Sequence, residues 1–424
     1  MRFDKRQRKR VTQMKLEYDF YIPDSVREVM ARLAENGERA YIVGGSLRDS
    51  LLLKKPHDFD LASSAEPLRV CEIFSDKRVI KTGIAHGTVT VIISGEPIEI
   101  TTFRVDGEYL DMRRPDSVSF TRRIEDDLSR RDFTVNALAY NESDGLVDLF
   151  GGREDLENKI IRTVGDPRLR FGEDALRIMR AFRFSAQLGF EIEQETLRAA
   201  SELADRLSFI AMERIFSELL KLISSPYPEK PIRQMKELAV LSHVLFEYSP
   251  SERAISLLSR VDNDDISRLS ALLSDADGVT ARTVLTRLKA SGRQRNAVSA
   301  IVDASKSGYS SREDVTRLRA RLGDDFSVAL KLSVLLENSS EEVLSFLDDN
   351  TPCSISELAI DGSDLMALGY EGREIGKALS FLLDAVVKDP SLNSKDRLME
   401  LVRDRDFATF LKKGSAKNFL TESF

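Results

Sequence analysis

Two aspartates two residues apart, Asp58 and Asp60, follow a Gly44-Gly45 pair in the stretch 41–65, YIVGGSLRDSLLLKKPHDFDLASSA. On a strand, residues i and i+2 project from the same face, so the two carboxylates point together. They repel each other unless a hard cation lies between them, and Mg²⁺, which prefers oxygen ligands, suits that place. The glycines let the backbone approach a phosphate closely, and a helix after them offers unpaired N–H groups to an anion. A phosphate cradle followed at once by a metal-binding carboxylate pair has the parts that nucleotidyl transfer needs. Either feature alone is more often a plain turn or a solvated strand edge. Their order and spacing carry the chemistry.

To position these groups, the stretch must supply a buried strand at Tyr41–Val43, a turn, a short helix from about Ser46 to Leu53, and a second strand carrying both aspartates. Around it, Val26, Val29, Met30 and Leu33 fall at helical spacing within 23–36, ended by Gly37. A helix is expected over 67–74. Strands are expected over 78–81, 88–93 and 98–103, the last two joined by a Ser94-Gly95-Glu96-Pro97 turn. Glu99 lies on the last strand, where a third carboxylate would complete a two-metal site or position an attacking hydroxyl; the alternative is an edge-strand glutamate in solvent. Residues 104–120 hold a glycine, a proline and several charges without a period, and are expected to form a mobile loop beside the sheet. Arg130-Arg131-Asp132 is expected to lead into a helix, the adjacent arginines suiting a triphosphate.

At 424 residues, with 42% hydrophobic and 31% charged residues, the chain can bury several cores, and two to four domains are expected. No run approaches the ~20 apolar residues that cross a bilayer. The first eighteen residues are basic but lack an apolar segment, which excludes a secretory signal and suggests an arm. Two distant cysteines, Cys71 and Cys353, suit a reducing cytoplasm, and three histidines without paired spacing argue against structural zinc. The net charge of −7 does not exclude a nucleic-acid partner, because local basic clusters at 5–10, 113–114, 122–123, 130–131 and 162–183 decide phosphate binding.

The GGxxRD…DxD pattern resembles the polymerase-β-like nucleotidyltransferases. The string RRDFTVNALA, with the later GGREDLENKIIRTVGDPRLRFGEDALRIMRAFRFSAQLGFEI and MERIFSELLKLISSP, narrows the resemblance to class II tRNA nucleotidyltransferases and bacterial poly(A) polymerases. The likeness runs from about Tyr41 to Leu401, tighter over the first 225 residues than between about 230 and 350. It implies an α+β fold: a polymerase-β-like head with a small mixed sheet, then an all-α neck, body and tail. The boundaries expected are a basic arm at 1–20, the catalytic head at 21–150, a neck with a nucleotide-selecting helix at 151–225, a body at 226–340 and a tail at 341–424. Amphipathic helices at 232–245, 265–273, 280–290 and 341–347 support the helical half.

The resemblance implies metal ligation by Asp58 and Asp60, catalysis by these two with Glu99, and nucleotide contacts from Gly44, Gly45, Arg48, Arg131, Asp132, Asn136, Asp174, Arg177, Arg180 and Arg183. Glu173, Asp174, Arg177, Arg180 and Arg183 are expected along one helix. Cytosine and adenine each show one exocyclic donor beside one ring acceptor, so a carboxylate (Asp174) and a guanidinium (Arg177) satisfy both. Guanine and uracil leave both groups opposed to like partners, at a cost of several kcal/mol in a buried site. The activity implied is addition of C, C and A from CTP and ATP to the tRNA 3′ end, with Mg²⁺ in a two-metal site, and no membrane or obligatory protein partner. The alternatives are A addition alone, poly(A) synthesis, and a non-catalytic RNA-binding descendant, against which the intact aspartate pair argues. Relatives restricted to CC typically lack the loop that 104–120 preserves. An attached phosphohydrolase is disfavoured, since Ser274 precedes Asp275 where such domains place histidine.

Overall fold

The computed structural model describes residues 21–56, 58–107 and 118–403. The basic arm and most of the 104–120 loop therefore lie outside the described residues. Two compact units divide between Ser249 and Pro250.

In the first unit, α1 (Asp24–Glu35) precedes β1 (Ala40–Val43), α2 (Gly44–Leu51), β2 (Asp60–Ser63) and α3 (Pro67–Ile73). β3 (Arg78–Ile80), β4 (Thr88–Ile93) and β5 (Glu96–Thr102) follow, then β8 (Leu138–Asn141) and β9 (Gly145–Asp148) after an intervening ribbon and helix. These seven strands form one mixed sheet in the order β3-β4-β5-β2-β1-β8-β9. Only β2 and β5 run parallel; the other neighbours are antiparallel. The expected α+β head is present. Alternation accounts for β4 and β5: Val89, Val91, Ile93, Ile98 and Ile100 are buried, while Glu99 and Thr101 turn to the other face. α4 (Ile124–Ser129) brings Ile124 and Leu128 against Tyr41, Val43, Ala62, Phe103 and Ala139 to close a core.

Several boundaries differ from the sequence reading, each for a physical reason. The glycines are not a turn before a helix: α2 starts at Gly44, whose φ of +70° makes the corner out of β1. Asp58 stands outside β2, which begins at Asp60. Glu96 and Pro97 already belong to β5, leaving Ser94-Gly95 as a two-residue hairpin with both residues at positive φ. The ends of the expected loop pair as a ribbon, β6 (Arg104–Asp106) with β7 (Val118–Phe120). Arg130–Asp132 lead through a short 3-10 turn, Thr134–Asn136, into β8, not into a helix.

Beyond the sheet, α5 (Gly152–Glu157), α6 (Pro167–Glu173), α7 (Leu176–Leu188), α8 (Gln194–Glu202) and α9 (Met212–Ile223) are joined by a two-residue parallel pair, β10 (Ile160–Ile161) with β11 (Glu191–Ile192). α10 (Glu229–Glu237) and α11 (Val240–Leu245) complete the unit; Ala239, at φ +58°, divides what the pattern presents as one helix. The expected selecting helix is likewise broken. Asp174 is extended between α6 and α7, because its carboxylate accepts the Leu176 N–H at 3.0 Å and competes with the helical ladder.

The second unit is helical among its described residues: α12 (Glu252–Leu257), α13 (Asp265–Leu272), α14 (Gly278–Arg287), α15 (Gly292–Ser305), α16 (Arg312–Leu322), α17 (Phe326–Leu335), α18 (Gly362–Ala367), α19 (Arg373–Lys388) and α20 (Lys395–Arg403). Residues 341–346 form a 3-10 helix instead of the expected α-helix. Ser and Asp caps mark most starts, including capping boxes at Ser291, Ser311 and Asp361. A tail core gathers Leu365, Leu382, Val386 and Leu398. Among the described residues no helix is long and apolar enough to cross a membrane, and both cysteines are free.

Gly152 ties the helical region to the sheet. A Cβ there would fall 2.1 Å from the Thr134 carbonyl oxygen and 3.0 Å from Leu138 Cδ2, so only glycine lets α5 seat on the 3-10 turn. Gly152→Ala should therefore cost roughly 1–3 kcal/mol by overpacking, read as a lowered midpoint in urea unfolding. An unchanged midpoint would show that this contact relaxes freely.

Candidate active site

One cavity of about 650 Å³ in the first unit is lined by Gly44, Gly45, Asp60 and Glu99 from the sheet side and by Asp174, Arg177, Arg180 and Arg183 from the helical side. Arg48, Arg131, Asp132 and Asn136 line it as well. Twelve of the thirteen residues named from the sequence thus meet in one place. Asp58 does not line the cavity and is exposed.

The acidic wall is set by register. β2 and β5 are parallel with Asp60 opposite Glu99, so two carboxylates from different strands face the same space. Desolvation pushes the Asp60 carboxyl above its usual range, and the charges of Asp58 and Glu99 push it further, against the pull of Arg131. Asp58, though outside the strand, is therefore close enough to be felt. Among the described residues no three His, Cys, Asp or Glu side chains converge into a ready-made metal cage. The donors present are hard oxygens whose mutual repulsion a divalent cation would relieve, which fits the expected ion.

The glycines face the basic wall. A Cβ on Gly44 would lie 3.4 Å from Arg131 Nη1 and 3.9 Å from Asp60 Oδ2; one on Gly45 would lie 3.5 Å from Arg48 Nη2. Side chains at either position would fill the gap between backbone and guanidinium. Arg48 donates to Asn136 Oδ1 at 2.8 Å and to Asp49 Oδ1 at 2.9 Å, which links α2 to the 3-10 turn.

Seven arginines line the cavity, and each is held by a carboxylate. Asp127, buried in the first turn of α4, accepts from Arg130 at 2.6 Å and from Arg131 at 3.1 Å. Asp132 accepts from Arg180 Nε at 2.7 Å, from the Phe133 N–H and from Asn136. Burial alone would raise both carboxyls, but the arginines overcome it and hold Asp127 and Asp132 below the usual range. Their contribution to stability is present above the unfolded carboxylate pKa and lost as pH falls through the folded one. Arg177 is held by Glu173 at 2.5 Å and donates to the Arg130 carbonyl at 3.2 Å. Asp174 accepts from Arg214 at 3.1 Å, and Arg183 donates to Glu218 at 2.6 Å and to Gln187 at 2.8 Å.

Arg214, Glu218, Asp127, Phe184 and Gln187 are the residues the sequence reading did not single out. A signal existed for two: Arg214 and Glu218 sit four apart on α9, placing both on one side of that helix.

Asp60→Asn tests the acidic wall without assuming any reaction. A carboxylate whose folded pKa is raised binds more protons folded than unfolded, so its contribution falls as pH rises through that window. Without divalent cation, Asp60→Asn should be more stable than the parent at pH 7, the gap closing as pH is lowered past the raised pKa. Equal stabilities at pH 7 in thermal unfolding would mean the repulsion is already relieved by solvent.

The chain is similar to known proteins along most of its length. Residues 40–162 match the poly A polymerase head domain, 189–251 the probable RNA- and SrmB-binding site of polymerase A, and 262–402 the putative second domain of tRNA nucleotidyltransferases. The CCA-adding enzyme of Levilactobacillus brevis is 37% identical over 90% of this chain and 98% of its own length. That of Streptococcus gordonii is 37% identical over 89% and 96%. Among solved structures, the Bacillus stearothermophilus CCA-adding enzyme in complex with CTP superposes with a TM-score of 0.75, at 30% identity over 90% of this chain and 98% of that one. The Thermotoga maritima CCA-adding enzyme complexed with tRNA, 23% identical, shares the fold at a TM-score of 0.67 over 91% and 96%.

Proposed function

The chain belongs to the class II tRNA nucleotidyltransferase and poly(A) polymerase family, and on that premise we propose that it is a CCA-adding enzyme. It adds C, C and A from CTP and ATP to the 3′ end of tRNA without a nucleic-acid template. Each step forms one phosphodiester bond from the primer 3′-hydroxyl to the α-phosphate, breaks the α–β phosphoanhydride bond, and releases pyrophosphate and the hydroxyl proton. The observation that carries this reading is one cavity in which Gly44-Gly45, Asp60 and Glu99 face a set of anchored arginines.

The division of labour follows from which wall each group occupies. Gly44 and Gly45 leave room for the phosphates beside the backbone, while Arg48, Arg131, Arg180 and Arg183 offer N–H donors to them, with Asp132 and Asn136 fixing the orientation of Arg180 and Arg48. Asp174 accepts from the exocyclic amine of cytosine or adenine, and Arg177 donates to the neighbouring ring nitrogen. Asp58 and Asp60 are the residues that would hold Mg²⁺, with Glu99 beside them; what the ion supplies when bound is activation of the hydroxyl and neutralisation of the departing charge. The finer division of the chain into head (21–150), neck (151–225), body (226–340) and tail (341–424) belongs to the same proposal.

Purified protein with tRNA transcripts ending before CCA, after C and after CC should add two residues with CTP alone, complete the end with both nucleotides, and use ATP alone only on the CC primer. Addition of A alone to every primer would make it an A-adding enzyme, and long A tracts a poly(A) polymerase. Asp58→Ala and Asp60→Ala should each lose orders of magnitude in rate while folding and tRNA binding survive. Turnover comparable with the parent would remove the metal role from that residue.

A further inference from the structure

Three guanidinium carbons gather around one phenyl ring. Arg183 lies 3.9 Å from the centroid of Phe184, and Arg48 and Arg180 each lie 5.3 Å from it. Arg48 comes from α2 and the other two from α7, so the ring joins elements far apart in sequence. Phe184 lines the cavity although its side chain is almost wholly buried. Its ring packs against that of Phe133 in a T-shaped arrangement, with centroids 5.6 Å apart and planes at 77°.

Like charges brought this close repel. Burial, and then the charge of Arg180, push the Arg183 guanidinium down against the pull of Glu218. Asp49, Asp132 and Glu218 already pair with the three arginines, and a further carboxylate in place of the ring would take up more of their N–H groups. A π face attracts a cation without accepting a strong hydrogen bond, because a guanidinium stacks through its plane and donates within it. The ring therefore draws the three guanidinium groups together without taking up N–H donors beyond those that Asp49, Asn136, Asp132, Glu218 and Gln187 already engage.

We propose that Phe184 is a positioning residue that holds Arg48, Arg180 and Arg183 as a preorganised cationic triad for the triphosphate and the pyrophosphate product. The proposal rests on the nucleotide-transfer reading above. Its test replaces Phe184 in the full chain with 4-fluoro-, 3,5-difluoro- and pentafluorophenylalanine, which weaken the negative ring face stepwise while nearly preserving shape. KM and kcat for CTP and ATP are measured on one tRNA primer, the Kd of pyrophosphate by calorimetry, and Tm for each variant. KM and the pyrophosphate Kd should rise with each step, reaching roughly tenfold at the pentafluoro ring, while kcat changes much less and Tm stays level. A flat KM and Kd series overturns the proposal, as does a fall in kcat at constant KM. Phe184→Leu provides a second check, since leucine fills space without a π face: binding like the parent's would mean the ring merely packs. If the parent transfers no nucleotide, the functional reading fails by itself, and the pyrophosphate series still decides whether the ring organises the cations.

Discussion

Gathering seven arginines around one cavity is only stable because a carboxylate anchors each of them. Asp127 takes two, Asp132 takes Arg180, Glu218 takes Arg183, Glu173 takes Arg177, Asp174 takes Arg214 and Asp49 takes Arg48. Three of these acids, Asp127, Asp132 and Glu218, are themselves buried, so removing one would leave a guanidinium without its counter-charge in a poorly solvated place, a change that typically costs about 3–5 kcal/mol. Asp132 and Asp174 hold their arginines from the cavity lining itself, and Asp49, Asp127, Glu173 and Glu218 from behind it. The same contacts that make the cluster tolerable thus set its geometry, and a phosphate arriving there finds donors already oriented.

The acidic wall obeys the opposite logic. Parallel register between β2 and β5 forces Asp60 opposite Glu99, and desolvation adds to the conflict. Among the described residues, Arg131 moderates it. A fold that keeps such a pair carries local instability at the point where a cation and phosphates would compensate. The two walls are joined through Gly44, whose bare α-carbon faces both Arg131 and Asp60. Any side chain there would separate the two charge systems that must act on one substrate.

The site was largely legible from the chain because its groups sit in short strings whose spacing has few other uses: GGSLRD, DFD, RRDFTVN and EDALR. The sheet was legible where alternation is strong, as in Thr88–Ile93, which is observed with the expected bounds. What could not be read depends on distant partners or on backbone conformations that composition does not announce. Ala239 bends the chain at positive φ without glycine or proline. Asp174 interrupts a helical pattern because its carboxylate captures a nearby N–H. Phe184 resembles an ordinary core residue until Arg48 arrives from α2, and Asp127 resembles a surface acid of a helix first turn until two arginines bury it. The 104–120 segment lacks a period, yet its ends pair, since three-residue strands are too short to show one.

Base choice here rests on protein side chains, without a template, and one ratio reads it out. It is the ratio of kcat/KM for CTP and ATP to that for UTP and GTP, measured on one tRNA primer for the parent and for Asp174→Ala. Asp174→Ala should lose discrimination by a factor equivalent to about 1–3 kcal/mol, because the acceptor facing the exocyclic amine is gone. A variant that slows equally with all four nucleotides and keeps the parent's ratio would contradict it, and would leave Asp174 only its structural contact with Arg214.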